Sequence, residues 1–301
     1  MIDGAGDAQR DEAGEGAPGR VGGAVFLLTD YGNTDEFAGV LRAVVVRHAP
    51  GASVIDLTHE VPAHDVRAGA LTLQRAVPHL GPGVVLAVVD PGVGTHRRAV
   101  ALSVARGHGS HPGPAYVVGP DNGLLPWAVD ELGGARHAVV LPAPASRPHG
   151  VTFDGRDLLA PAAARLWRGE ALAALGPAVD PDDLHRLEPP RLRVARGSVE
   201  AEVLWVDRFG NVQLSARPDD AERAGLGGGG AEVEVDAGGR RRTARRVDAF
   251  AEVAPGGLGL LVDANGRLAL VGDRSSAAAV LGVGSGDRVR LGPGHGAGAP
   301  S

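Results

Sequence analysis

The chain has 301 residues, 44% apolar, 22% charged and only 3% aromatic, the proportions of a globular protein with a sizeable core. It contains no cysteine, and its 30 Lys+Arg residues are all arginine. Thiolate nucleophiles, disulfides, Cys-ligated zinc, Schiff-base lysines and a P-loop are thereby excluded, and a formal net charge of -6 argues against a nucleic-acid partner.

A single core stops growing at about 250 residues, so two domains are expected. No stretch reaches the roughly 18 consecutive apolar residues of a membrane span. The first 22 residues are acidic and rich in Gly and Ala, with no apolar stretch of a signal peptide. They predict a disordered tail over 1–23, no membrane association and a cytoplasmic location.

From Ala24 the pattern becomes apolar runs of strand length, at 24–28, 53–57, 84–89, 99–104, 115–119 and 137–141. Continuous rather than alternating apolar character predicts strands buried on both faces. Helix-period stretches lie between several of them, at 35–48, 65–79 and 123–132, with another at 156–168. Strands alternating with helices predict an N-terminal α/β domain with a central, mostly parallel sheet over 24–187. RGHGSHPGP at 106–114 reads as a surface loop, and the Pro- and acid-rich segment 176–191 as a linker or crossover.

Beyond it come short strands at 199–206, 210–215, 231–236, 241–247, 257–262 and 267–271, separated by Gly-rich turns. These predict a smaller C-terminal β-barrel domain over 188–291. Residues 292–301 read as a second disordered tail.

In open α/β sheets ligands bind beyond the carboxyl ends of strands, so polar residues there are the first candidates. In TDYGNTDEF at 29–37, Asp30 ends a strand and is placed to take both hydroxyls of a ribose, while Asp35 reads as a helix N-cap. In VVDPGVGTHRR at 88–98, Asp90 and Arg97 flank a tight Gly-rich loop, where a carboxylate and a guanidinium can meet and orient a water. That loop is not a dinucleotide fingerprint. In VTFDGRDLLAPAAARL at 151–166, Asp154, Arg156 and Asp157 precede a helix, and Arg156 with Asp157 reads as a capping and ion-pair arrangement. GPDNGLL at 119–125 reads as a structural turn. In VDRFGNVQL at 206–214, Asp207, Phe209 and Asn211 surround a turn that is either plain hairpin chemistry or a site for a purine and an ammonium group. No G-x-S-x-G elbow and no H-E-x-x-H helix is present, so neither a serine hydrolase nor a zinc site is supported.

Taken in order, TDYGNTDEFAG, DLTHEVPAHDVRAGA, VVDPGVGTHRR, VGPDNGLL, TFDGRDLLAPAAA, VDRFGNVQL and FAEVAPGGLGLLVDANG resemble the S-adenosyl-L-methionine (SAM) hydroxide adenosyltransferases, or SAM hydrolases, relatives of fluorinase and chlorinase. The resemblance runs from about Phe26 to Leu291. It implies an N-terminal α/β domain with a seven-stranded sheet, a C-terminal β-barrel, and a homotrimer with SAM held between subunits. The implied reaction is attack of water or hydroxide on the ribose C5′ of SAM, giving adenosine and L-methionine with no metal or organic cofactor.

Carried over by position, Asp30 is the ribose-binding carboxylate, Asp207 holds the methionine ammonium, and Phe209 and Asn211 meet the adenine. His64, Val93, Phe153, Gly155 and Asn265 complete the implied substrate contacts. Asp90 and Arg97 match the first two members of the family's Asp-Arg-His water-handling triad, and Asp90 with Val93 is similar to the hydrolases rather than the halogenases. Where the hydrolases read Phe-His-Gly-Arg-Asp, this chain reads Phe153-Asp154-Gly155-Arg156-Asp157. Asp154 therefore stands in place of the histidine, His149 being five residues out of register, and becomes the third catalytic candidate. Two carboxylates near one water share a proton, which raises one pKa toward the working pH, and Arg97 moderates their repulsion. A second departure is Ala264, where the family tends to have a serine that binds the methionine carboxylate. The rival readings are a SAM- or adenosine-binding protein without turnover, a SAM-dependent halogenase, and a hydrolase of a related nucleoside.

Overall fold

The computed structural model describes residues 21–105, 113–144, 150–228 and 230–294. The chain divides into two compact units, Met1–Arg186 and Leu187–Ser301. The sequence-expected first tail before residue 21, residues 106–112 of the surface loop, His149 and the chain end beyond residue 294 lie outside the described residues.

The first unit carries strands β1 (Ala24–Thr29), β2 (Ser53–Thr58), β3 (Gly83–Val88), β4 (Ala99–Val104), β5 (Tyr116–Pro120), β6 (Ala135–Leu141) and β7 (Ala178–Val179) in one sheet of order β2-β1-β3-β5-β4-β6-β7. Its helices are α1 (Phe37–His48), α2 (Val66–Ala76), α3 (Pro126–Glu131) and α4 (Ala160–Trp167). The pairs β2-β1, β1-β3 and β3-β5 are parallel, whereas β4 runs antiparallel to both β5 and β6, and β7 antiparallel to β6. The change of direction follows from the connections. Helices α1 and α2 lie between β1, β2 and β3 and supply the long crossovers that parallel pairing needs, but among the described residues no helix lies between β3 and β4 or between β4 and β5.

Strands β1 and β3 are buried along their whole length, as continuous apolar runs predict. Their residues Val25, Leu27, Val84 and Leu86 share a core with Leu41 and Val45 of α1 and Ala163 and Leu166 of α4. Strand β2 departs from that expectation. It is the sheet edge, and its Ile55 is 46% exposed. The segment 176–191, expected as a linker, contributes the last strand, with Val179 opposite Ala138 and Ala178 opposite Val139.

The second unit contains β8 (Leu192–Ala195), β9 (Ser198–Val206), β10 (Val212–Leu214), α5 (Pro218–Arg223), β11 (Glu232–Ala237), β12 (Arg240–Arg246), β13 (Leu258–Val262), β14 (Leu268–Gly272), α6 (Ala277–Leu281) and β15 (Arg288–Pro293). The strand order is β10-β14-β13-β12-β11-β15-β9-β8, and an additional β10–β9 pairing closes seven of the eight strands into a barrel. Strand β9 makes closure possible because it is long enough to pair with β8 at one end and β10 at the other, with β15 along its second edge. Closure leaves no open edge within the ring, and Val203, Leu214, Val235, Leu260, Leu270 and Leu291 fill the interior. Strand β15 runs through Pro293, two residues into the expected second tail. Among the described residues no helix is long and apolar enough to cross a membrane.

Candidate active site

Four segments of the first unit, within 30–37, 63–64, 88–93 and 152–155, meet around one cavity of about 270 Å³. Asp30 leaves β1, and its Oδ2 accepts a hydrogen bond from the backbone N–H of His64 at 2.9 Å. His64 is held with φ 67°, a left-handed conformation unusual for a residue with a side chain. The N–H of Tyr31 donates to Thr29 Oγ1 at 3.1 Å, and that hydroxyl also pairs with Nδ1 of the buried His59 at 2.8 Å. Asp35 is not the helix cap expected of it. Helix α1 begins at Phe37 with Glu36 in the cap position and no side-chain cap bond, and Asp35 lines the cavity instead.

The loop after β3 folds back on itself. Val93 N–H donates to Asp90 O at 3.2 Å, Thr95 Oγ1 to Gly92 O at 2.7 Å, and Gly94 takes φ 80°. The turn returns Arg97 to Asp90, Nε donating to Oδ1 at 3.0 Å and Nη2 to Oδ2. The same Nη2 donates to Asp154 Oδ2 at 2.8 Å. One guanidinium thus holds two carboxylates, and the side chains of Arg97, Asp90 and Asp154 are only 9%, 5% and 8% exposed. Asn122, in the turn after β5, donates to Val89 O at 2.9 Å and braces the residue before Asp90.

Asp154 precedes a π-helical turn, Gly155–Leu159, that runs into α4. Such turns are rare and cluster at functional sites. Arg156 and Asp157 pair with each other at 2.7 Å at the partly exposed rim, as expected from sequence, and the Arg156 guanidinium lies 5.0 Å from the centre of the Phe153 ring. Phe153, Tyr31 and Phe37 form an aromatic wall, with ring centroids 5.3–6.1 Å apart.

Asp30, Asp35, Asp90 and Asp154 all line this cavity, with Val93, His64, Phe153 and Gly155. Burial pushes the Asp90 carboxyl above the usual carboxylate value; Arg97 opposes that rise and Asp154 adds to it. Burial, then Asp30, Asp90 and Asp154 in turn, push the Tyr31 hydroxyl well above its ordinary value. An acidic, aromatic-walled cavity suits a cationic ligand with an apolar flank. Among the described residues no group of three or more His, Cys, Asp or Glu side chains is placed to hold a metal ion.

In the second unit, Asp207 builds a turn. Its Oδ1 accepts from the N–H groups of Phe209 and Asn211, both at 2.9 Å, and its Oδ2 from Asn211 Nδ2 at 2.8 Å. Phe209 stands at the tip, 70% exposed. With Asn211, Phe250, Gly272, Arg274, Ser275 and Ser276 it lines a second cavity of about 450 Å³. Asp207 is not on that lining; its carboxylate is taken up by the turn. Asn265 is not there either. It sits on the β13–β14 turn, where its N–H donates to Asp263 Oδ1 at 2.9 Å, at the other end of β14, roughly 15 Å of strand away.

The residues that sequence reasoning passed over are Tyr31, Phe37 and Thr152 in the first cavity and Arg274, Ser275 and Ser276 in the second, while Asp35 was read as a cap and not as a lining residue. A signal existed for the last three, because DRSS directly follows β14 as a polar cluster at a strand end.

Family models match both units: SAM hydroxide adenosyltransferase N-terminal domain over residues 25–176 and C-terminal domain over residues 201–290. The chain is 46% identical over 269 residues to a protein of Salinispora tropica named (R)-S-adenosyl-L-methionine hydrolase, covering 89% of this chain and 97% of the relative. A protein of the same name from Thermus thermophilus is 41% identical over 279 residues, covering 89% and 98%. The crystal structure of an uncharacterized conserved protein from Thermotoga maritima superposes with a TM-score of 0.80 at 32% identity, covering 89% of this chain and 99% of that one.

Proposed function

This chain belongs to the SAM hydroxide adenosyltransferase family, and from that premise we propose that it hydrolyses SAM to adenosine and L-methionine. The observation that carries the reading is the single guanidinium of Arg97 holding two buried carboxylates, Asp90 and Asp154, on the wall of an acid-lined cavity.

The sulfonium of SAM is a charged leaving group that becomes a neutral thioether as its bond to C5′ breaks. The protein therefore needs to supply alignment and a dry pocket more than a strong base, and neither a metal nor an organic cofactor is required. One water O–H donates to Asp90 and the other to Asp154, which takes the place of the family histidine. The water oxygen forms the new bond to C5′, the S–C5′ electron pair stays on sulfur, and the released proton passes through Asp90 to solvent. Arg97 fixes both acceptors. Asp30, held by the His64 N–H, takes the ribose hydroxyls, and the remaining acid of the cavity favours the sulfonium and ammonium charges. Phe209 offers a face and Asn211 an amide to the adenine; Asp207 acts by holding the turn that presents them.

The (R) form of SAM named for the relatives is the epimer to test first. A homotrimer in which one SAM is shared between subunits, and a cytoplasmic location, are the further expectations; sedimentation of the purified protein tests the first. The reaction is tested by incubation with SAM in halide-free buffer and chromatography against standards. Equal amounts of adenosine and methionine, lost in Asp90→Asn, support the reading. Intact SAM recovered from a tight complex refutes it and marks a binding protein instead.

A further inference from the structure

A water poised to attack carbon has four hydrogen-bonding directions. Asp90 and Asp154 take its two protons, one lone pair must point at C5′, and the last lone pair is fixed only if a donor meets it. Arg97 is committed to Asp90, Asp154 and the carbonyl of Arg98. The Tyr31 hydroxyl is a further donor at this site. It lines the same cavity, and it lies so close over Gly155 that a Cβ at that position would come within 2.3 Å of it. The ring stands edge-on to Phe153 at 5.6 Å and tilted to Phe37 at 6.1 Å, so two aromatic contacts set the direction of the phenol. Burial among carboxylates keeps the hydroxyl protonated, which makes it a donor and not a base.

We propose that Tyr31 is a further catalytic residue, its hydroxyl donating a hydrogen bond to the water held by Asp90 and Asp154 and so aiming that water's second lone pair at C5′. The inference rests on the hydrolase reading. Tyr31 keeps its proton throughout; the proton released by the water goes to Asp90.

Tyr31→Phe removes the hydroxyl and keeps both ring contacts. The expected result is a fall in kcat on the order of 10-fold, with KM for SAM and the thermal midpoint unchanged. An unchanged kcat overturns the proposal. So does a joint change in kcat, KM and thermal midpoint, because the hydroxyl then shapes the pocket and does not aim the water. Alkaline tyrosinate titration reads the geometry without turnover, since the chain has only two tyrosines. Tyr31→Phe identifies the Tyr31 transition, and Asp90→Asn moves that transition to lower pH. A transition indifferent to Asp90→Asn puts the hydroxyl away from the cluster and overturns the proposal even if SAM is hydrolysed. Wild-type protein that releases no adenosine while the transition still moves overturns the hydrolase reading and the catalytic role with it, leaving the placement of the hydroxyl intact.

Discussion

Arg97→Leu removes the cation that Asp90 and Asp154 share and leaves an apolar side chain in a site where all three original side chains are less than 10% exposed. With charge centres about 4 Å apart and an effective dielectric near 20, each carboxylate loses about 4 kcal/mol of attraction, and the two then face each other unscreened. Uptake of a proton limits the net cost to about 3–5 kcal/mol, the range for breaking a buried ion pair. That corresponds to a fall of roughly 6–20 °C in the thermal transition of the first unit. Asp90 already titrates above the usual carboxylate value, and without the guanidinium its folded-state value rises further. Between the unfolded value of about 3.9 and that raised value the folded protein binds more protons than the unfolded chain. Stability therefore falls as pH rises through this window and returns as pH drops. Thermal unfolding by circular dichroism at about pH 5 and about pH 8 measures the effect: the deficit of the variant is larger at the higher pH. A deficit under about 2 °C, or one equal at both pH values, refutes the shared-cation reasoning.

Other consequences follow from the same geometry. Asp90 must be ionised to accept a proton, so kcat/KM, which follows the free protein, falls as pH drops through its raised value; the acid limb of that profile lies above the ordinary carboxylate range, and a limb at or below it contradicts the buried placement. His64→Gly keeps the backbone N–H on Asp30 and relieves a left-handed conformation costing about 1–2 kcal/mol. KM for SAM should stay within about two-fold, whereas a tenfold rise means that the imidazole itself binds substrate. Phe209→Ala removes a largely exposed ring, so the thermal midpoint holds. Loss of about 1–3 kcal/mol of stacking raises KM roughly 5- to 150-fold, and an unchanged KM removes the adenine from this turn.

The parts of the fold that sequence made legible are those whose pattern is local. Continuous apolar runs mark β1 and β3 because both faces are covered, and the missing helix between 88 and 99 already limits how β4 can pair. Strand β7 is two residues inside a Pro- and acid-rich stretch and does not stand out from a loop, whereas β15 alternates Arg288, Val289, Arg290 and Leu291 as a strand should but runs into a Gly-rich end that hides where it stops. Asp90 and Arg97 were readable as a pair because they flank one tight Gly-rich loop, whereas Asp154 joined them only through the resemblance, where it stands in place of the family histidine. Asp35 was misread by one position, since the helix starts at Phe37 and not at the first favourable cap. Tyr31 was passed over because a tyrosine at a strand end looks like core filling; only the absent Cβ of Gly155 shows where its hydroxyl points. Asn265 and Arg274 sit at opposite ends of one hairpin strand, and pattern alone does not say which end opens onto a cavity.

Water held by Asp90 and Asp154 that attacks C5′ of SAM leaves its oxygen on the adenosine, and following that oxygen tests the reaction. Wild-type protein and Asp90→Asn are incubated with SAM in water enriched in heavy oxygen, and the products are weighed by mass spectrometry. Attack at C5′ puts one heavy oxygen in adenosine and none in methionine, and the rate is about 10²- to 10⁴-fold lower for Asp90→Asn. Heavy oxygen in methionine, adenosine without label, or equal rates for the two proteins would contradict it.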